Sequence, residues 1–207
     1  MERKISGNIS SVKDSTIEYM ESFVGEVFSP GEFLPEEILQ MMIRVTCETK
    51  RETAVYRDRK NRVLNIGLGD TRSVDLPELD TGRRSDVRLS GIRILHTHPN
   101  GSSHPSEVDL HSLRTMRFDA MCVIGVNIAE NRATGLSASF LERDADGFFN
   151  ETVLIGPYGI PHRSRFNACF DIITEIDRTA PRNAEIIDNG PERAILVGVI
   201  SEKSDTI

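Results

Sequence analysis

A run in the middle of the chain holds the side chains best suited to bind a metal ion. It extends from His96 to Asp109 and presents two histidines, His96 and His98, separated by a single residue. Imidazole nitrogen and carboxylate oxygen are both ligands for divalent first-row metals, and this mixture suits Zn²⁺ best. Three protein ligands leave a fourth position for water, which is the pattern of a catalytic zinc site rather than a structural one. His96, His98 and Asp109 are therefore candidate metal ligands.

Local structure has to bring these three side chains together. The apolar run over 91–95 predicts a buried strand that ends at His96, and alternate residues of a strand point to the same side. Ser106 is a candidate N-cap for a helix over about 107–117, which puts Asp109 in the first turn, from where its carboxylate can reach the strand end. Histidine must be neutral and aspartate ionised to bind a metal, so we expect the affinity to fall in mild acid.

The rest of the pattern predicts an α/β fold, with a central mixed sheet flanked by helices. We predict helices over about 12–28, 35–50, 107–117 and 165–178, a hairpin over 52–68, and strands over 91–95, 120–126, 134–141, 152–155 and 193–200. Residues 1–35 are expected to form a helical N-terminal appendage, and residues 36–156 the metal-binding domain. Residues 157–192 are expected to form a helix and a linker, and residues 193–207 the start of a truncated following domain.

Composition narrows the classes of function. The chain of 207 residues is 38% hydrophobic and 28% charged, which is ordinary for a globular protein with one sizeable core. No apolar run approaches the roughly 18–20 residues of a membrane helix, and the first residues lack the apolar stretch of a signal peptide. Three cysteines without a CxxC pair suit reduced thiols in the cytoplasm. The net charge of −7 gives no general attraction to nucleic acid.

The metal-ligand run also carries a family resemblance. The pattern HxHP, six residues, then SxxD resembles the signature of the JAMM (JAB1/MPN+) metalloprotease family, and every fixed position is present. The resemblance implies a JAMM- and cytidine-deaminase-like mixed sheet flanked by helices, with Zn²⁺ bound by His96, His98 and Asp109. It also implies that Glu52 is the general acid/base and that Ser106 stabilises the oxyanion during hydrolysis of an amide or isopeptide bond. The stretch over 51–63 is similar to a hairpin of RadC-type proteins, another JAMM branch.

A second resemblance extends over nearly the whole chain. Segments similar to the N-terminal extension of long HflX-type GTPases begin at Gly7 (GNIS), Gly67 (GLGD), Leu89 (LSGIR), Arg117 (RFDAM), Gly156 (GPY) and Glu192 (ERAILVGV). The resemblance implies a cytoplasmic accessory region whose partners are the GTPase domain of the same full-length protein and the ribosome. The chain contains neither GxxxxGKS nor GxxxxGKT, so no nucleotide site is assigned to it.

Three functions stay open at this point. The first is a zinc hydrolase that acts on a peptide or isopeptide bond, and the second is a metal-binding accessory domain without hydrolytic activity. The third is a metal-free interaction module that contacts the GTPase domain, the ribosome or another protein. Ser106 can act as a helix N-cap and stabilise an oxyanion at once. His104 occupies a position that the JAMM pattern leaves free, and Cys122 is expected to pack in the core.

Overall fold

Seven strands in one mixed sheet organise the described part of the chain. The computed structural model describes residues 5–29, 32–69, 89–143 and 146–158. Its elements in chain order are β1 (Ile5–Gly7), α1 (Asp14–Glu21), α2 (Glu36–Thr49), β2 (Thr53–Asp58), β3 (Val63–Leu68), β4 (Ile92–His98), α3 (Glu107–Met116), β5 (Ala120–Asn127), β6 (Arg132–Arg143) and β7 (Phe149–Tyr158). The predicted α/β class, with helices beside a mixed sheet, is confirmed.

The strand that carries the two histidines lies in the middle of the sheet. The strand order is β1-β3-β2-β4-β5-β6-β7, so β4 has β2 on one side and β5 on the other. β4 pairs antiparallel with β2 and parallel with β5, and α3 lies in the connection between β4 and β5. All seven residues of β4 are buried, as expected for a central strand covered on both faces.

A hydrophobic core covers each face of the sheet. On one face, residues of α1 and α2 share a core with Leu95 of β4. On the other face, α3 contributes to a core that contains Ile94. Because successive side chains of a strand alternate between the two faces, His96 and His98 lie on the α3 face and Thr97 on the α2 face. The same strand end therefore presents two imidazoles to one side and a hydroxyl to the other.

Helix α2 follows the pattern in its sequence. Pro35 directly precedes the helix, and acidic residues in the first turn interact favourably with the helix dipole. The apolar residues at helical spacing are all buried: Ile38, Leu39, Met42, Ile43 and Val45. The helix ends at Thr49, and Lys50 takes the left-handed conformation (φ 58°) that commonly follows a helix. The predicted helix over 35–50 is confirmed. The turn at Lys50 leads the chain toward Glu52 and the start of β2.

The predicted helix over about 12–28 is shorter in the structure, and a strand, β1, precedes it. Helix α1 spans only Asp14–Glu21, because the chain after it turns to pair with β3, where Gly25 N donates to Val63 O over 2.9 Å. Strand β1 joins the main sheet beside β3, and Ile5 and Met20 are buried in the core that α2 covers. Long-range pairing therefore overrides the local helical pattern that was expected to reach residue 28.

The last two described strands are longer than predicted. β6 spans Arg132–Arg143 instead of 134–141, and β7 spans Phe149–Tyr158 instead of 152–155. β7 includes Gly156 and Pro157, which are joined by a cis peptide bond, and its pairing with β6 shifts register there. Pairing between β6 and β7 extends both strands beyond their apolar centres.

Several predicted segments lie outside the described residues. These are the helix over 165–178, the strand over 193–200, and with them the predicted following domain and all but the first two residues of the predicted helix-and-linker segment. Within the described ranges, no helix is long and apolar enough to cross a membrane.

Candidate metal centre

Three ligand-bearing side chains converge where β4 ends and α3 begins. The Nε2 atoms of His96 and His98 are 3.1 Å apart. Asp109 Oδ1 lies 3.3 Å from His96 Nε2, and Asp109 Oδ2 lies 3.3 Å from His98 Nε2. Ligands of a tetrahedral Zn²⁺, at bond lengths of about 2.0–2.1 Å, are separated by about 3.3 Å. The three predicted ligands are therefore brought together, with each histidine close to a different oxygen of Asp109, and they form a group that could hold a metal ion.

Strand β4 fixes the direction of both histidines. His96 pairs with Ala54 of β2 on one side and with Val123 of β5 on the other, while His98 pairs with Gly125 of β5. Ala54 and Gly125 are small residues, and the centroids of the two imidazole rings are 4.9 Å apart. Only 5% of His96 and 7% of His98 is exposed, so their ring nitrogens depend on partners inside the protein.

The first turn of α3 holds the Asp109 carboxylate in place. Ser106 is the N-cap of the helix, and its Oγ accepts a hydrogen bond from Asp109 N at 3.2 Å. In return, Asp109 Oδ2 accepts hydrogen bonds from Ser106 N at 2.6 Å and from Ser106 Oγ at 2.7 Å. This capping box satisfies donors at the helix start and limits rotation of the carboxylate. The predicted N-cap role of Ser106 is confirmed, and the same contacts direct Asp109 toward the histidines.

The loop between β4 and α3 is fastened to the neighbouring strands. Thr134 Oγ1 on β6 donates to Gly101 O over 2.6 Å, and Ser137 Oγ donates to Ser103 O. Gly125 on β5 lies directly beneath the loop, since a Cβ atom there would be only 2.4 Å from Gly101 O. The loop therefore packs directly on the backbone of Gly125, which has no side chain to hold it away. The position of the loop in turn determines where α3 begins.

The electrostatics of the cluster favour a cation. Burial by itself would raise the pKa of Asp109, but hydrogen bonds with His96 and His98 outweigh it and hold this pKa well below its usual range. Burial would lower the pKa of His98, yet the hydrogen bond with Asp109 and the charges of Asp109 and Glu52 raise this pKa overall. Asp109 is thus ionised at neutral pH, which is the state that binds a metal.

Glu52 reaches the same face of the sheet as the two histidines. It directly precedes β2, in which Ala54 pairs with His96, so Glu52 continues this register toward His98. Residues two apart on a strand share a face, which places Glu52 on the histidine side. Only 6% of Glu52 is exposed, and its negative charge contributes to the raised pKa of His98. The predicted general acid/base therefore lies next to the metal ligands without being one of the group of three.

Other candidates from the sequence take no part in the cluster. His104 is exposed in the loop before α3. His111 Nε2 lies 3.4 Å from Thr115 Oγ1 on the outside of α3. Cys122 is fully buried, and burial raises the pKa of its thiol, so it packs in the core as predicted.

Sequence reasoning missed a group of three hydroxyls behind the ligands, which we call the threonine cluster: Thr46, Thr53 and Thr97. The Oγ1 atoms of Thr46 and Thr97 are 2.7 Å apart, and those of Thr46 and Thr53 are 3.1 Å apart. Alternation along β4 is a signal that Thr97 points away from the histidines. Nothing in the sequence links Thr97 with Thr46, which lies 51 residues earlier.

Comparison with known proteins gives no relative for this chain. No protein-family model, no curated protein and no solved structure matches it. The class that the fold and the site define is a mixed α/β protein, with seven strands of its described residues in one sheet and a His-His-Asp group able to hold a metal ion. Because a fold alone does not determine a function, the function has to be argued from the site.

Proposed function

We propose that this chain is a JAMM-type zinc domain whose site is built for metal-assisted hydrolysis of an amide or isopeptide bond. The observation that carries the proposal is the convergence of His96, His98 and Asp109 into one group that could hold a metal ion, with Glu52 on the same face. The order and spacing of these residues in the chain agree with the JAMM pattern. Bound Zn²⁺ would supply a Lewis acid that polarises a carbonyl oxygen and acidifies water.

Each residue of the site has a task that its position supports. His96 and His98 would hold the cation from a buried strand, and Asp109 would hold it from the helix start. Glu52 takes a proton from the attacking water and returns it to the leaving amine, which requires a carboxylate on the face of the ligands. Ser106 orients Asp109 through the cap and donates its one hydroxyl proton to Asp109 Oδ2. To stabilise the oxyanion of a substrate, this exposed hydroxyl would have to turn its proton from Asp109 to the substrate.

We further propose that the domain is the N-terminal accessory region of a cytoplasmic HflX-type GTPase. The support is the series of similar sequence segments from Gly7 to Glu192. The partners would then be the GTPase domain of the same full-length protein and the ribosome, and the substrate a peptide or isopeptide. Deleting residues 1–190 from the full-length protein should change ribosome binding or GTP turnover, and unchanged values of both would contradict this part of the proposal.

The second candidate is a metal-free interaction module. Each histidine lies 3.3 Å from an Asp109 oxygen, so hydrogen bonds alone could hold the three side chains together. Charge-assisted N–H···O bonds are usually shorter, at about 2.7–2.9 Å. Two protonated imidazoles with Nε2 atoms 3.1 Å apart would also repel each other. Both points favour the metal-bound alternative.

Metal content separates the two candidates. For protein purified without chelators and offered zinc, we expect about one equivalent of bound zinc per chain by elemental analysis. Asp109→Asn preserves the size of the side chain but removes its charge, so this variant should retain much less zinc. Less than about half an equivalent in the wild-type protein would make the interaction module the better account.

A further inference from the structure

The threonine cluster lies directly behind the candidate metal centre. Thr97 stands between the two histidines in the sequence, and Thr53 directly follows Glu52. Thr46 belongs to α2, so the cluster joins this helix to the ends of β2 and β4. The exposed fraction of each threonine is 0%. Buried hydroxyls are unfavourable unless each one finds its hydrogen-bond partner.

The hydrogen bonds of the cluster close a ring. Thr97 Oγ1 accepts a hydrogen bond from Thr53 N at 2.9 Å and donates toward Thr53 O at 3.5 Å. Thr46 Oγ1 lies between the other two hydroxyls, 2.7 Å from Thr97 Oγ1 and 3.1 Å from Thr53 Oγ1. If the Thr97 hydroxyl donates to Thr53 O, the Thr46 hydroxyl can donate to Thr97 Oγ1 and the Thr53 hydroxyl to Thr46 Oγ1. With this arrangement of donors, every hydroxyl proton has an acceptor within the cluster.

The threonine cluster connects β2 and β4 beyond the last backbone pair of the two strands. The register of the two strands runs as far as Ala54 and His96. One residue further on, the backbone N–H of Thr53 is bound by the side chain of Thr97. A hydroxyl therefore sets the spacing of the two strand ends at Thr53 and Thr97. These residues are the direct neighbours of Glu52 and His98 in the sequence.

We propose that the Thr97 hydroxyl, with Thr46 behind it, is a positioning device that keeps Glu52 and the two histidines at the spacing a metal requires. This inference rests on the metal site proposed above. Without the hydroxyl, the buried Thr53 N–H loses this acceptor and Thr46 loses its own, so the strand ends shift to find substitutes. A small shift is sufficient, since metal–ligand distances tolerate deviations of only about 0.2 Å.

The test is an isosteric substitution read out by metal binding. Thr97→Val removes the hydroxyl and keeps the shape, and we expect zinc to bind about 10–100-fold more weakly in competition with a chromophoric chelator. The visible absorption of bound Co²⁺ should weaken or shift as its tetrahedral geometry is distorted. Thr97→Ser keeps the hydroxyl and should restore both the affinity and the spectrum. An equal loss of zinc affinity in Thr97→Ser would show that retaining the hydroxyl does not preserve the site, which would overturn the inference.

A matched control is available at another buried threonine. Thr16 is 3% exposed, and its Oγ1 donates to Glu48 at 2.8 Å on α2, outside the cluster. Thr16→Val should lower the stability of the protein while leaving zinc affinity and the Co²⁺ spectrum unchanged. An equal loss of zinc affinity in Thr16→Val would mean that the effect is general destabilisation, which would also overturn the inference.

The outcomes distinguish this inference from the proposal on which it rests. If the wild-type protein binds neither Zn²⁺ nor Co²⁺, the metal site itself is refuted. If the wild-type protein binds both and Thr97→Val behaves identically, only the positioning role fails. Should Thr97→Val not fold, Thr46→Val removes the same support from a helix that contains no ligand. The same loss of affinity is then expected, and an unchanged affinity and spectrum would count against the positioning role.

Discussion

The charge of Glu52 can be detected at His98 without any substrate. This charge is one of the causes that raise the pKa of His98, so Glu52→Gln, which keeps the shape and removes the charge, should lower that pKa. The ring protons of His98, followed by NMR over a pH titration of zinc-free protein, measure the change. Glu48→Gln is the matched control, because Glu48 interacts with Thr16 and Lys13 instead and should leave His98 unaffected.

The same Glu52→Gln variant tests the catalytic role. It should keep its zinc and, on any peptide or isopeptide that the wild-type protein cleaves, lose roughly 10²–10⁴-fold in rate, the usual contribution of a general base. Superimposable His98 titrations in wild type and variant would place Glu52 too far away for this role. Equal cleavage rates would refute the role directly.

The pH response of the His98 and Asp109 pair should reverse its sign when zinc binds. The pKa of His98 is raised in the folded protein, so its protonated form stabilises the zinc-free fold below the unfolded value of about 6.5. That contribution is lost as the pH rises through the folded pKa. Zinc needs neutral histidine, so stabilisation by zinc grows as the pH rises over the same range.

Calorimetry at two pH values measures this reversal. The increase in melting temperature on adding zinc should be larger at about pH 7.5 than at about pH 5.5, because protons compete with the metal for the histidines. Asp109→Asn removes the carboxylate that couples the histidines, so its melting temperature should respond little to zinc at either pH. An equal zinc effect at both pH values in the wild-type protein would contradict the histidine ligation.

Among the secondary-structure elements, α3 has the clearest double role, as a helix and as the carrier of Asp109. Ser106→Ala removes the cap and should lower the free energy of unfolding by about 1 kcal/mol. Zinc affinity should fall as well, because Asp109 Oδ2 loses one of the two hydrogen bonds that it accepts from Ser106. Denaturant unfolding and chelator competition measure the two effects. Ser112→Ala, in the middle of the same helix, should change neither, and a stability loss without weaker zinc binding would separate the cap from the site.

The helices and strands around the site could be predicted where a short stretch of sequence contains the pattern that determines them. The apolar run before His96 and the cap at Ser106 are contained in short stretches of sequence, and both β4 and α3 follow them. The lengths of β6 and β7 depend on pairing with each other, which no local pattern reveals. The contact between Thr46 and Thr97 joins a helix to a strand across the core, so it is visible only after folding.

The whole described part of the chain behaves as one packed unit in this structure, including its N-terminal residues. The sequence pattern predicts a helical N-terminal appendage over residues 1–35, in which Pro30 and Gly31 end the helix. Strand β1 instead completes one edge of the sheet, and Gly7 makes this possible: it has a φ of 85°, and a Cβ atom there would be 2.3 Å from Leu68 O. A requirement of this kind for glycine depends on the partner strand, so it could not be predicted from local sequence.

Substitution of Met20 tests whether the N-terminal residues unfold together with the rest of the protein. Met20 is 0% exposed and lies in the core that α2 covers, so Met20→Ala should lower the free energy of unfolding by about 2–5 kcal/mol. Val27 lies in the same N-terminal region but is 54% exposed, and Val27→Ala should stay within about 0.5 kcal/mol of wild type. Denaturant unfolding should show a single transition that moves to lower denaturant concentration in Met20→Ala. If residues 1–35 were an appendage, the main transition would stay in place, and any effect would appear in a separate early transition.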